Sequence, residues 1–141
     1  MTSNFLIEII LGFLSALGAI WFFRAKYPSK QFKAWANNLI IAAFIYVIFA
    51  LVGTNWSWMP TELLGLVAYG ALALLGLRYS PWLIAVGWAL HVLWDLLLHP
   101  GGHPGYVPAW YPGVCLGFDI AVGLYLAQLI ISQKKQLVPN D

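Results

Sequence analysis

Charge is what this sequence has least of. Asp, Glu, Lys and Arg make up only 9% of its 141 residues, against roughly 25% in soluble globular domains. A water-soluble core is therefore excluded as the home of most of the chain. Cysteine is nearly absent too. Cys115 stands alone, so no intrachain disulfide can form and the redox compartment stays unmarked. No block of basic residues occurs, and the net charge is only +2, which excludes nucleic acid as a suggested partner. The first apolar run opens at Phe5 with no Lys or Arg before it. A secretory signal needs a positive leading region, so residues 1–23 read as a retained first span. No internal repeat is evident, and residues 1–141 read as one bundle.

What remains is apolar. The chain is 62% hydrophobic, and membrane helices need roughly 20 such residues each. Spans are expected at about 4–23, 37–53, 62–78, 81–99 and 113–131, an all-α bundle of five transmembrane helices. The segments between them carry breakers. "RAKYPSKQFK" is charged with a proline, "GTNWSWMP" is a polar turn, "RYSP" is tight, and "HPGGHPGYVPAWYPG" has Gly or Pro at eight of fifteen positions. Such segments do not continue a helix. The tail "SQKKQLVPND", which holds Asp141, is polar. The runs do not alternate as barrel strands would, so helices are the solution that satisfies the backbone in lipid.

Five spans put every basic residue on one side. Arg24, Lys26, Lys30 and Lys33 separate spans 1 and 2, Arg78 separates spans 3 and 4, and Lys134 and Lys135 follow span 5. The positive-inside rule makes that side cytoplasmic, with the N-terminus out and the C-terminus in. The expected location is a bacterial plasma membrane. Trp21, Trp35, Trp56, Trp58, Trp82 and Trp110 fall near span ends and read as interfacial anchors. Trp88 and Trp94 lie inside span 4. Small residues four apart (Gly12/Ala16, Gly113/Gly117, Gly123/Ala127) suit close helix packing.

The acids gather on the other side. Glu8, Asp95 and Asp119 are expected about 6–9 Å below the outer interface, and His91 at about 12 Å. Glu62, after Thr61, reads as a helix-start acid favoured by the dipole. An acid at mid-membrane costs about 2.5–3.5 kcal/mol on insertion scales and is a functional hypothesis by default. In "HVLWDLLLHPGGH" (91–103), His91, Asp95 and His99 fall at i, i+4 and i+8 on one drifting stripe, with Trp88 one turn deeper. Cys115 and Asp119 share a face of span 5, and Asn4 and Glu8 a face of span 1.

Imidazole and carboxylate suit zinc or iron, and ligands at i, i+4 can grip one ion from one helix. His91 and His99 lie about 12 Å apart along the axis, too far to share an ion. Two ligand sets follow: His91, Asp95 and Asp119, with Glu8 beside them, or Asp95, His99 and His103, with the loop folding back. A metal-activated water would attack a lipid ester or amide, with Glu8 or Asp119 as proton carrier. Trp88, Trp94, His103, Tyr111 and Cys115 would line the pocket. The alternative is a non-catalytic lipid or small-molecule binder, or a structural protein, whose His/Asp cluster is a buried hydrogen-bond network. Transport fits poorly, because the inner half is nearly free of ionisable groups and the chain lacks an inverted repeat. Haem ligation by His91 is a further option with only an aromatic stripe behind it.

The segment "HVLWDLLLHPGGH…VPAWYPGVCLGFDIAVGLYL" resembles a family of small bacterial integral membrane proteins of unknown function. That family has an H-x-x-W-D run in one span, then V-P-x-W-Y-P, Cys and Asp entering the next. The resemblance covers about residues 87–126. It singles out His91, Trp94, Asp95, His99, Trp110, Tyr111, Pro112, Cys115 and Asp119, and implies no activity. Length and tryptophan content look like the tryptophan-rich sensory or translocator family, but in composition alone. Membrane ceramidases share the chemistry of intramembrane His and Asp, not the sequence.

Overall fold

A computed structural model describes residues 3–137. It is all-helical among them: α1 (Ser3–Lys26), α2 (Gln31–Val52), α3 (Met59–Arg78), α4 (Trp82–Leu98) and α5 (Tyr111–Leu137), with one 3₁₀ turn at Pro100–Gly102. All five helices are long and apolar enough to cross a membrane, α4 together with its following turn. Their surface is apolar as well. Leu11, Val52, Leu64, Val67, Leu97 and Leu124 are all exposed, as lipid-facing positions should be.

The breaks are shorter than the sequence suggests. Only Tyr27–Lys30 leaves the helix between α1 and α2, so Lys33 rides on the first turn of α2. Pro60 and Pro112 lie inside the first turns of α3 and α5. Proline is tolerated there because its missing N–H would have no helical partner. Helix α5 runs through the polar stretch from Ser132 to Leu137; Asp141 lies outside the described residues. The loop after α4 needs Gly102, which has φ +85°, and a Cβ there would stand 2.9 Å from the Ala109 Cα.

Helix α5 lies between α1 and α4, α4 packs on α3, and α3 on α2. The α1–α5 seam uses the expected small residues. A Cβ on Gly12 would strike the Val114 carbonyl, and one on Gly117 the Ile9 carbonyl. Helix α1 has no comparable second neighbour and is the least buried of the five. Helices α2 and α5 face each other across a space filled by rings. Trp35 meets Trp88 at 6.0 Å and Phe118 and Tyr125 at 6.3 Å each, and Tyr111 meets Phe49 at 4.9 Å.

Trp35 corrects one expectation. It is fully buried in the core with Leu39, Ala43, Ala73, Ile84, Trp88 and Val122, not an interfacial anchor. The early start of α2 moves it a turn deeper than the span count allows. Trp58 also departs from the anchor reading, since its ring packs on His99, His103 and Tyr106. Trp21, Trp56, Trp82 and Trp110 are exposed near helix ends.

Candidate functional site

Helix α4 turns one face inward, and that face holds Ile84, Trp88, His91 and Asp95. Spacings of three and four residues keep such positions on one side of a helix. His91 and Asp95 are completely buried and Asp119 of α5 nearly so. His91 Nδ1 lies 2.8 Å from Asp119 Oδ2 and 3.6 Å from Asp95 Oδ2. One ligand atom from each of the three lies within 4.8 Å of the others. Tyr46 of α2 donates its hydroxyl hydrogen bond to Asp95 Oδ1. Tyr69 of α3 sets its ring edge-on to His91 at 4.9 Å and donates to the Leu90 carbonyl at 3.1 Å. Four helices thus converge on one imidazole.

Two atoms of this group are left over. His91 Nε2 and Asp95 Oδ2 have no hydrogen-bond partner among the described residues. A buried polar atom without a partner costs about 1–3 kcal/mol, more when charged. A cation among Nδ1 of His91, Oδ2 of Asp95 and Oδ2 of Asp119 would use the carboxylate oxygen. Three protein ligands with a position open is the pattern of catalytic metal sites.

His99 does not join Asp95, contrary to the second expected ligand set. Helix α4 ends at Leu98, and the chain turns. The His99 ring stacks on Tyr46 at 4.5 Å and 20°, and its Nδ1 lies 2.9 Å from the His103 carbonyl. That carbonyl can only accept, so Nδ1 carries the proton. Nε2 then faces Glu62 Oε1 at 3.1 Å, but off the line an N–H bond requires, and it counts among the unpartnered atoms with Glu62 Oε2. Glu62 is 1% exposed, so it is a buried acid beside His99 and more than a dipole-favoured helix start. Tyr106 of the α4–α5 loop donates to Glu62 Oε1. Burial first, and then this bond, push the Tyr106 phenol above the usual tyrosine range, which keeps it a donor.

Tyr106→Phe is expected to leave Glu62 Oε1 without its donor, a loss of about 1–3 kcal/mol. The check is amide hydrogen exchange over residues 99–110, which should quicken. Unchanged protection would show that the loop does not depend on this bond.

The remaining expected residues separate. Glu8 is half-buried against Gly113 on the α1 side of α5 and does not belong to the three-residue group. Its helix packs on the glycine face of α5, whereas Asp119 faces α4. Trp94 lies over Gly65 and edge-on to Tyr69. His103 is exposed, beside Trp58. Trp88 belongs to the core and, with Tyr111, Cys115 and Asp119, lines a cleft of about 220 Å³ between α2 and α5. Asp119 also borders an apolar groove of about 420 Å³ between α4 and α5, lined by Ala85, Ala89, Gly123 and Leu124. Asp119 is thus the one member of the cluster at the edge of both openings.

The sequence reading missed Tyr46, Tyr69 and Tyr106 and underrated Glu62. A signal existed for two of them. Tyr46 and Tyr69 sit well inside apolar spans, away from the interface where tyrosine normally gathers. A tyrosine placed there needs a partner for its hydroxyl.

Comparison of the chain with protein-family models, with curated proteins and with solved structures finds no match in any of the three.

Proposed function

We propose that the protein is a membrane-embedded metal protein that holds zinc or iron at His91, Asp95 and Asp119 and acts on an ester or amide bond of a lipid-like molecule. The convergence of three ligand atoms from two helices within 4.8 Å carries this reading. The unpartnered Asp95 Oδ2 supports it. An ion in such a site supplies Lewis acidity. Tyr46 would hold Asp95 in place through its other oxygen, as outer partners of metal ligands do. Asp119, at the rim of both openings, is the group best placed to exchange a proton with a molecule entering from the bilayer. The basic helix ends favour an orientation with the N-terminus outside, so that the site lies toward the non-cytoplasmic face.

Metal content of detergent-purified protein, measured by mass spectrometry, tests the reading. Wild type should carry about one equivalent, and His91→Ala and Asp119→Asn should carry almost none while still eluting as folded protein. A folded wild type that takes up neither zinc nor iron would sink it. Release of fatty acid or amine from vesicle lipids then tests the reaction. A second reading is favoured by the 2.8 Å His91–Asp119 contact, which closes without any ion. In that case the cluster is a hydrogen-bonded fastening of α4 to α5, and His91→Ala lowers thermal stability with no metal to lose.

A further inference from the structure

The opposite end of the bundle holds a second kind of opening. A groove of about 430 Å³ lies between the end of α1 and the start of α2. Its mouth carries Lys30 and Lys33, and its wall continues through Ala34, Asn37, Asn38 and Ile41. The two helices meet closely only near their turn, where Phe23 packs edge-on to Trp35 at 4.9 Å, and a wedge of space is left beside it. The mouth is positive and uncompensated. Among the described residues no carboxylate lies within ion-pair distance of either lysine. The first turn of α2 contains no acid, and Lys30 at its N-cap makes no side-chain capping bond.

From these features we infer that the groove seats one anionic phospholipid, with its phosphate at Lys30 and Lys33 and an acyl chain along Ala34–Ile41. The dimensions agree. Lys30 to Ile41 spans about 16 Å of helix, roughly half of a hydrocarbon core about 30 Å thick. The groove is therefore one leaflet deep, charged at the mouth, with Ala34 and Ile41 interleaved with Asn37 and Asn38 below. Basic pockets between membrane helices are suited to lipid phosphates for this reason. Asn38 and Ile41 also line the cleft that leads to Cys115 and Asp119, so the tail would point toward that cleft. The lipid's ester groups would stay at the basic end, far from Asp119. This molecule is thus an anchored companion and not the substrate proposed above, and the inference stands without the metal.

The test is native mass spectrometry of the full chain in detergent, with phosphatidylglycerol and phosphatidylcholine of identical acyl chains as probes. Wild type should retain one phosphatidylglycerol with at least about tenfold preference. The Lys30→Gln/Lys33→Gln double variant should retain the two lipids equally, and Arg78→Gln, at the same end but outside the groove, should behave as wild type. Millimolar inorganic phosphate should leave the bound lipid in place, because it has no tail to fill the groove. Equal retention by wild type, an unchanged preference in the double variant, an equal loss in Arg78→Gln, or displacement by phosphate would each overturn the inference.

Discussion

Asp95→Ala should lower the melting temperature of the purified protein. Its carboxylate is completely buried, takes the Tyr46 hydroxyl on one oxygen and faces His91 with the other. Its backbone carbonyl also accepts the His99 amide at 3.3 Å, a bond the substitution leaves intact. The loss is therefore confined to the side chain. Without it the buried Tyr46 hydroxyl loses its acceptor, a cost of about 1–3 kcal/mol, and His91 is left with Asp119 alone at 2.8 Å. A domain with a total stability of about 5–15 kcal/mol registers that clearly. Asp95→Asn keeps the shape and an acceptor for Tyr46, so it should recover a good part of the loss. Thermal unfolding followed by circular dichroism in detergent decides the matter. An alanine variant that melts with wild type would mean that the cluster contributes nothing to holding the helices together.

The second large effect lies at the glycine seam. Gly117→Val should separate α1 from α5. The new side chain would run into the Ile9 carbonyl, with the Phe13 amide nitrogen 2.9 Å from its Cβ. Both obstacles are backbone, which cannot rotate away. Overpacking commonly costs about 1–3 kcal/mol, and here the neighbouring helix has little else to hold it. Gly18→Val is the control, since a Cβ there meets nothing within 4 Å. Tryptic cleavage at Lys26 and Lys30 beside the α1–α2 turn should accelerate in the first variant and not in the second. Equal cleavage in both would show that the seam tolerates a side chain.

How far the sequence carries depends on which force is at work. Five spans are legible because lipid imposes a length and an apolar composition on each. The His91–Asp95–Asp119 group is legible because buried ionisable residues in a membrane are costly and must find each other. Gly12/Ala16 and Gly113/Gly117 are legible as close-packing positions through their small size and four-residue spacing. Three things were hidden. Trp35 looked like an anchor, because its depth depends on where α2 begins, and a first-turn lysine does not show that. The meeting of Glu62, His99 and Tyr106 depends on the path of a Gly/Pro loop, which no helical periodicity describes. Glu8 was grouped with the cluster by depth alone, whereas the rotation of α5 turns Gly113 to it and Asp119 away.

The α1–α5 seam also bears on how the molecule is made. The first helix has its principal partner in the last one, more than eighty residues further along the chain. At ribosomal rates of about 5–20 residues per second, α1 emerges roughly 5–20 seconds before α5 is complete. During that interval its glycine face has only lipid or a chaperoning insertase against it. Assembly therefore ends with the final helix sliding between α1 and α4, and truncation within α5 should strand the first helix as well as remove the last.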